Sequence, residues 1–362
     1  MSEKKLMKGN EALAEASMRA GMKGYFGYPI TPQSELLEYL SVHFERRGGA
    51  FVQAESEIAA INMVYGAAGA GERVMTSTSS PGYSLMQEGI SYIACAELPC
   101  LLVNVVRGGP GLGTIQPSQG DYFQAVKGGG HGDYKVIVLA PNSVQEMADF
   151  VYDGFDLADK YRNPVLILSD GALGQMMEAV TFPDYNPEDH LVDKSAWATR
   201  GNEQGIRNFI TSLHIQTERM EEINIGLQQK YEEIQMKEVR YETVKADDAE
   251  LLVVAFGLSS RVVHKAVDLA REEGMKVGLL RPITLFPFPK TELSYFADRV
   301  NNMLVVEMNA GQMVEDVRLA VNGKIPVEFY GRMGGIIPTP GEILEKIRGL
   351  YQLHNSEEVA NV

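Results

Sequence analysis

Three residues in the first third of the sequence carry side chains that could serve a reaction. Thr31 provides a hydroxyl group in the run from Tyr28 to Pro32, Glu57 provides a carboxylate, and Arg107 provides a guanidinium group. A hydroxyl group beside the free N–H groups of a helix start is suited to a substrate carboxylate. A carboxylate in apolar surroundings keeps its proton tightly and could share it with a ring nitrogen. An arginine at a strand end favours binding of a carboxylate or phosphate.

Local structure explains the same residues without any reaction. Threonine is favoured as a helix N-cap and proline at the first helical position, so Thr31 and Pro32 predict the start of a helix over residues 35–44. An acid such as Glu57 is favoured in the first turn of a helix, and Glu55 competes with it for the proton-sharing role. Arg107 could instead form a salt bridge with a neighbouring acid. From the residues alone, both interpretations stay open.

Two glycine-rich stretches, 108–113 and 128–132, do not match the nucleotide-binding motifs. The first lacks the Lys-Ser/Thr pair of a P-loop, and no strand directly precedes the second. Loop flexibility or close approach of the backbone explains both stretches better. His131, in the second stretch, could act as an acid or base near neutral pH, but an isolated histidine is more often structural.

The cysteines and histidines predict no metal centre in this chain. Cys95 and Cys100 have four residues between them, which matches neither a zinc knuckle nor a redox pair, and two thiolates cannot hold an iron–sulfur cluster alone. We expect both thiols in the core or at a helix end. The six histidines show no two-ligand spacing, and the Gly-x-Ser-x-Gly motif of serine hydrolases is absent from the sequence. One-electron chemistry therefore requires another chain.

Length and charge limit the class of protein. At 362 residues and 45% hydrophobic content, two domains are expected. The net charge of −15 and the pI of about 5.0 disfavour binding to nucleic acid or to an anionic membrane surface. The chain begins without an apolar signal core and has no uncharged apolar run long enough to span a bilayer, so we expect a cytoplasmic protein.

The elements that must position the candidate residues follow from short apolar runs, which predict strands at 24–28, 50–54, 73–77, 100–106, 135–139 and 164–169. Two of them, Leu101–Val106 and Pro164–Leu168, lack the polar alternation of a half-exposed strand. Such strands are typical of a parallel sheet that is covered on both faces. The sequence therefore predicts a doubly wound α/β domain over residues 1–190, with ligands at the carboxyl ends of its strands.

The character of the chain changes over residues 184–248, where strand signals vanish. The stretch from His214 to Tyr241 is rich in charge and predicts one long helix, so residues 191–248 are expected to form a linker with this helix. A second α/β domain is predicted over 249–362. Its expected elements are a helix at 260–273 and strands at 251–256, 276–280, 303–307 and 325–330.

Taken together, these segments resemble the alpha subunit of the thiamine-diphosphate-dependent 2-oxoacid:ferredoxin oxidoreductases. The resemblance rests on motifs that occur in the family's order: Tyr28–Pro32, Glu57–Gly69, Thr78–Gly82 and Arg107–Pro110, then Leu280–Pro289. It is closest to the branched-chain 2-oxoacid (2-ketoisovalerate) enzymes, through the runs 107–121 and 128–133. The 2-oxoglutarate branch is the nearer rival, and the pyruvate enzymes resemble the chain less. The family's fold is a pyrimidine-binding thiamine-diphosphate domain followed by a transketolase C-terminal-like domain.

The resemblance implies an activity and assigns the candidate residues. The activity is oxidative decarboxylation of 3-methyl-2-oxobutanoate to acyl-CoA and carbon dioxide, with ferredoxin as the electron acceptor. Glu57 would hydrogen-bond the cofactor's aminopyrimidine, Tyr28 and Pro29 would contact the cofactor, and Thr31 and Arg107 would hold the oxoacid. A 2-oxoglutarate enzyme and a non-oxidative transketolase-like component are the alternatives.

The sequence departs from a complete thiamine enzyme in one respect, because the diphosphate-binding Gly-Asp-Gly followed by Asn is missing. Ser169-Asp170-Gly171 is its nearest match, and we do not expect Asp170 to bind Mg²⁺. In the family, the diphosphate motif and Mg²⁺ belong to a beta subunit and the clusters to a ferredoxin-like subunit. The expected partners are therefore these two, a gamma subunit, external ferredoxin and coenzyme A, with dimerisation inside the complex.

Overall fold

The structure is a computed structural model that describes residues 4–201, 205 and 207–360. Its strands are β1 (Lys5–Lys8), β2 (Gly24–Gly27), β3 (Ala50–Gln53), β4 (Val74–Thr78), β5 (Cys100–Val106), β6 (Ile137–Leu139), β7 (Pro164–Asp170), β8 (Met177–Val180), β9 (Tyr241–Val244), β10 (Leu251–Val254), β11 (Val277–Pro282), β12 (Thr284–Phe286), β13 (Asn302–Glu307) and β14 (Val327–Gly331). Its α-helices are α1 (Gly9–Arg19), α2 (Ser34–His43), α3 (Glu57–Gly69), α4 (Ser80–Cys95), α5 (Tyr122–Val126), α6 (Val144–Tyr161), α7 (Gly171–Gln175), α8 (Thr217–Lys237), α9 (Gly257–Glu272), α10 (Lys290–Ala297), α11 (Met313–Val321) and α12 (Pro340–Ala360).

The larger sheet has seven strands in the order β12-β6-β7-β5-β4-β2-β3. All neighbouring strands are parallel except β12, which runs antiparallel to β6. Every residue of β5 and β7 is buried, as expected of central strands that are covered on both faces. The six strands predicted for this part of the chain are confirmed, and so is the α/β fold class.

The smaller sheet has five strands in the order β14-β13-β10-β11-β9. Its strands are parallel except β9, which pairs antiparallel with β11. The predicted helix and four strands of this unit are all present within a few residues. None of the described helices is long and apolar enough to cross a membrane.

The prediction that the stretch 184–248 contains no strand is wrong. Residues 241–244 form β9, the edge strand of the smaller sheet, and the long helix is α8, which ends at Lys237. The alternation of apolar and polar residues that would indicate a strand is weak here, because three of the four residues of this edge strand are exposed. The antiparallel pair β1–β8 and strand β12 were also not predicted. The proposed domain boundaries at residues 190 and 248 remain a prediction.

The loop of residues 108–121 connects the two sheets through Gln119, which is buried. The Gln119 amide donates to the Phe256 carbonyl at 2.8 Å, and its side-chain oxygen accepts from Ser259 Oγ at 2.8 Å and from Met308 N at 3.0 Å. Apolar residues of both sheets belong to one continuous core. The glycine-rich stretch after β5 therefore leads into the junction of the two halves of the molecule.

Candidate active site

The candidate residues gather at one edge of the larger sheet. The run from Tyr28 to Pro32 follows β2, Glu57 follows β3, residues 79–82 follow β4, and Arg107 follows β5. These four strands are parallel, so their carboxyl ends lie at the same edge. This is the edge at which sheets of this kind bind ligands.

Glu57 is a buried acid without a partner in the described part of the chain. It opens α3 after the N-cap Ser56, whose hydroxyl accepts from Ala59 N at 3.2 Å. Glu57 is 5% exposed, and its carboxylate forms no hydrogen bond or ion pair with any other residue that the structure describes. Glu55 is exposed. Of the two acids, only Glu57 therefore has the burial that a shared proton requires.

Gly82 lies directly against the Glu57 carboxylate in the first turn of α4. A Cβ atom on Gly82 would be 2.5 Å from Glu57 Oε1 and 2.1 Å from Thr78 Oγ1. Both distances are far below van der Waals contact, so no larger residue fits without displacing the acid. The Ser-Pro-Gly sequence at the start of α4 thus lets this helix pack directly against a buried carboxylate.

The prediction that Thr31 caps a helix is wrong. Helix α2 begins at Ser34, and Gln33 is the residue before it. Gln33 N donates to the Ile30 carbonyl at 3.2 Å, so the chain closes a turn before the helix starts. Thr31 is exposed, and its hydroxyl has no hydrogen bond to another described residue. The hydroxyl group is therefore available to a ligand rather than to the helix.

A chain of buried hydrogen bonds fixes the loop that carries Thr31. Tyr25 Oη lies 2.7 Å from Ser77 Oγ, which donates to Gln33 Oε1 at 2.7 Å, and Gln33 Nε2 donates to the Tyr28 carbonyl at 3.3 Å. Gln33 is completely buried, and burial raises the pKa of Tyr25. Tyr28 and Pro29 are exposed at the end of this chain. Sequence reasoning missed Gln33, because nothing in the sequence distinguishes a buried glutamine at a helix start from a solvated one.

Arg107 contacts the same loop. Its Nη1 donates to the Thr31 carbonyl at 2.9 Å, while its Nε is buried without a partner among the described residues. The backbone of Arg107 is held by Ser80, whose hydroxyl accepts from Arg107 N at 3.0 Å and lies 3.2 Å from the Arg107 carbonyl oxygen. Thr31 and Arg107 are thus brought together, and Ser80 and Gly82 in the first turn of α4 link Arg107 to Glu57.

A second, partly buried acid lies beside this turn. Burial raises the pKa of Asp121, whose carboxylate accepts from Asn104 Nδ2 at 2.8 Å. Both residues belong to the strand and loop on either side of Arg107 in the sequence. Sequence reasoning did not single them out, because their pairing depends on the path of the loop.

The other candidate residues, Asp170, His131 and the two cysteines, have contacts that a structural role explains. Asp170 caps α7, accepting from Ala172 N at 2.9 Å and from Leu173 N at 3.2 Å, and burial raises its pKa to about 6. His131 is exposed, and its carbonyl oxygen accepts from Ser91 Oγ. Cys95 lies at the end of α4 and Cys100 is buried, which confirms the predicted locations, and both thiols are free. In the described part of the chain, no three His, Cys, Asp or Glu residues form a group that could hold a metal ion.

Two family models match almost the whole chain. The model described as pyruvate flavodoxin/ferredoxin oxidoreductase, thiamine diphosphate-binding, matches residues 15–248, and the model described as pyruvate:ferredoxin oxidoreductase core domain II matches residues 249–343. The chain belongs to the 2-oxoacid:ferredoxin oxidoreductase family. The resemblance drawn from the motifs is confirmed.

Relatives from this family align with nearly the whole chain. The ketoisovalerate oxidoreductase subunit VorB of Methanothermobacter thermautotrophicus is 55% identical over 95% of this chain and 97% of the relative. The 2-oxoglutarate synthase subunit KorA of Methanothermobacter marburgensis is 38% identical over 97% of this chain and all of the relative. Both relatives are named as subunits, which indicates that family members of this kind work in assemblies of several chains.

Solved structures agree with the fold. The 2-oxoglutarate:ferredoxin oxidoreductase of Magnetococcus marinus, solved with 2-oxoglutarate, coenzyme A and succinyl-CoA bound, has a TM-score of 0.87 and 29% identity, over 96% of this chain and 65% of that one. A split-gene transketolase has a TM-score of 0.57 over 95% of this chain, at 15% identity, and so shares the fold. The predicted order of a thiamine-diphosphate-type domain and a transketolase-like domain agrees with both.

The residues present fit one half of a bound thiamine diphosphate. The buried Glu57 carboxylate, which has no partner among the described residues, suits the edge of a planar ring that contains nitrogen. Asp170, the nearest match to a diphosphate-binding acid, already accepts two backbone N–H groups of its own helix. The pyrimidine side of the cofactor thus fits this chain.

Proposed function

We propose that this chain is a subunit of an enzyme that oxidatively decarboxylates 3-methyl-2-oxobutanoate to acyl-CoA and carbon dioxide and passes the electrons to ferredoxin. The observation that carries the proposal is the buried Glu57, which has no partner among the residues described, at the same sheet edge as the Arg107–Thr31 pair. The choice of substrate is supported by the 55% identity to a ketoisovalerate oxidoreductase subunit, against 38% for a 2-oxoglutarate synthase subunit.

Each site residue has a proposed role. Bound thiamine diphosphate supplies the nucleophile and the electron sink for decarboxylation. Glu57 holds a proton at a ring nitrogen of the aminopyrimidine, where a buried carboxylate exchanges it without competition from water. Arg107 binds the oxoacid carboxylate, and the Thr31 hydroxyl donates to the oxoacid. Tyr28 and Pro29 contact the cofactor from the exposed end of their loop.

The rest of the active site belongs to partner chains in this proposal. The sequence lacks the diphosphate-binding motif and has two cysteines, so a beta subunit holds the diphosphate and Mg²⁺, and a ferredoxin-like subunit holds the iron–sulfur clusters. A gamma subunit, coenzyme A and external ferredoxin complete the system, and the complex dimerises. The relatives' description as subunits supports this division. The cytoplasmic location stays a prediction from the sequence.

The proposal is tested with the complex reconstituted from this chain and its partner subunits. Carbon dioxide release from 3-methyl-2-oxobutanoate should require coenzyme A and either ferredoxin or a viologen dye. Equal release without an electron acceptor would instead support a non-oxidative, transketolase-like component. A higher kcat/KM for 2-oxoglutarate than for 3-methyl-2-oxobutanoate would support the 2-oxoglutarate branch.

A further inference from the structure

The loop that follows Arg107 folds back onto its own start. Gly108 N donates to the Gln116 carbonyl at 2.9 Å, and Thr114 N donates to the Gly108 carbonyl at 2.7 Å. Gly113 has a φ of 58°, and a Cβ atom there would be 1.7 Å from the Gly108 carbonyl oxygen, so only glycine closes the loop this tightly. These contacts fix the conformation of residues 109–115, which form the tip of the loop.

This tip exposes branched apolar side chains. Leu112 is 80% exposed and Ile115 is 57% exposed. A second segment packs against the loop at Gly335, where a Cβ atom would be 2.4 Å from Gln116 Cβ, and it adds Met333 at 59% exposure. A single exposed apolar residue needs no explanation, whereas several on neighbouring loops mark a surface that contacts a ligand or another chain, and their position beside the ligand-binding edge favours a ligand.

Ile115 lies beside the pair that is proposed to bind the oxoacid. A Cβ atom on Gly171 would be 3.0 Å from Pro32 Cγ and 3.4 Å from the Ile115 carbonyl oxygen, so the backbone of Ile115 lies close to Pro32. Pro32 is the neighbour of Thr31, whose carbonyl oxygen accepts from Arg107. A substrate whose carboxylate is held by Arg107 would therefore lie close to the part of the loop that carries Ile115.

We propose that Ile115, with Leu112 beside it, forms the apolar wall that selects the branched alkyl group of the oxoacid. The inference rests on the proposed function and names the residue that determines specificity at the same site. An isopropyl group gains from contact with this wall. The second carboxylate of 2-oxoglutarate would be desolvated against it without a counter-charge, which is unfavourable.

The test uses the reconstituted complex with the Ile115→Lys variant. The ratio of kcat/KM for 3-methyl-2-oxobutanoate to kcat/KM for 2-oxoglutarate should fall at least about 10-fold, since a lysine removes an apolar contact and offers a counter-charge to the second carboxylate. Ile225→Lys is the matched control, because Ile225 is 53% exposed on α8. Lys230 of α8 binds the Arg162 carbonyl just before β7, so this helix lies at the opposite edge of the sheet.

A second variant separates selectivity from assembly. Ile115→Ala should lower kcat/KM for 3-methyl-2-oxobutanoate at least about 5-fold and leave that for pyruvate, which lacks the branched group, within twofold of the wild type. An unchanged ratio in both variants, an equal loss with all three acids, or failure of the variants to join the complex would overturn the inference. If the wild-type complex itself does not turn over 3-methyl-2-oxobutanoate, the proposed function fails instead.

Discussion

Only one nitrogen of the Arg107 guanidinium group forms a hydrogen bond to the described part of the chain. Nη1 donates to the Thr31 carbonyl, Nε has no partner among the residues described, and the backbone is held by Ser80. An arginine that is fixed at its backbone and at one nitrogen loses little freedom on binding an anion, which favours it over lysine at such a position. The remaining donors are therefore ready for a carboxylate.

Replacing Arg107 tests this role. We expect Arg107→Gln to raise the KM for the oxoacid about 10- to 100-fold, because a hydrogen bond to a charged group contributes about 1.5–3 kcal/mol. kcat should change less than KM, since the carboxylate is bound before and during the reaction. Steady-state kinetics of the complex measures both, with Arg46→Gln as the control at an exposed arginine. An unaltered KM would exclude Arg107 from substrate binding.

At the residue scale, the sequence indicated the proposed acid and arginine but not the residues that hold them in place. Glu57 was preferred over Glu55 through the family motif, and the structure shows that Glu57 is the buried one. Gln33 and Ser80 could not be predicted, because their importance comes from partners that are distant in sequence, such as Ser77 and Arg107. Side-chain type alone does not encode such contacts.

Helix α4 places its first turn against both Glu57 and Arg107, and Gly82 is the point of closest approach. Gly82→Ala should lower kcat at least about 10-fold, since the added methyl group must displace the Glu57 carboxylate or the Thr78 hydroxyl. Gly66→Ala is the matched control: Gly66 lies in α3 with open space around its Cβ position. Alanine there should leave activity unchanged and stabilise the helix by about 0.5–1 kcal/mol. Comparable kinetics for both variants would contradict the proposed packing.

Helix α7 is capped by an acid whose burial is costly when it is ionised. Burial raises the pKa of Asp170 to about 6 from 3.8, so between about pH 4 and pH 6 the folded chain binds more protons than the unfolded chain. The contribution of Asp170 to stability therefore falls as the pH rises through this range. Asparagine caps a helix about as well as aspartate but does not titrate.

The Asp170→Asn variant should accordingly gain stability relative to the wild type as the pH rises from about 4 to about 7. A pKa difference of about two units corresponds to about 3 kcal/mol, which is an upper limit for the gain. Thermal unfolding at several pH values measures it, with Asp184→Asn as the control for loss of an exposed charge. A difference that stays constant with pH would show that burial does not perturb Asp170.

At the element scale, the parallel core was predictable and the edges were not. Central strands such as β5 and β7 can be recognised in the sequence as continuous apolar runs, because both of their faces are covered. Strand β9 is largely exposed, and β12 has three residues and joins the sheet of the other half of the molecule. Such strands form because they pair with neighbouring strands, and the local sequence pattern does not reveal this pairing.

The two sheets form one molecule rather than two independent halves, and Gln119 lies at their junction. Gln119→Ala removes three hydrogen bonds and leaves the buried Met308 N–H without this partner, whereas the Phe256 carbonyl keeps its bond from Ser260 N at 3.3 Å. A buried group left unsatisfied costs about 1–3 kcal/mol and each other lost hydrogen bond about 0.5–1.5 kcal/mol, so we expect a loss of about 2–4 kcal/mol in the free energy of unfolding. Urea denaturation measures it, with the exposed Gln229→Ala as the control. A loss below about 1 kcal/mol would contradict the role of this junction.

At the scale of the whole molecule, the sequence indicated two α/β units in the right order. It did not show that the loop after Arg107 lies near the site and also connects the two units. This connection depends on contacts between residues 119 and 308, which are distant in sequence. In the proposed function, the sheet edge of this chain is a preassembled half of an active site. The other half is proposed to come from a partner subunit.

The central claim is that this chain supplies the acid on the pyrimidine side of a shared thiamine-diphosphate site. The most direct test is the turnover of 3-methyl-2-oxobutanoate by complexes that contain Glu57→Gln or, as the matched control, Glu55→Gln. Glutamine preserves the shape of the side chain but cannot exchange a proton, so Glu57→Gln should lower kcat at least about 100-fold while the complex assembles normally. Glu55→Gln should retain wild-type activity. Undiminished turnover by an assembled Glu57→Gln complex would contradict the account.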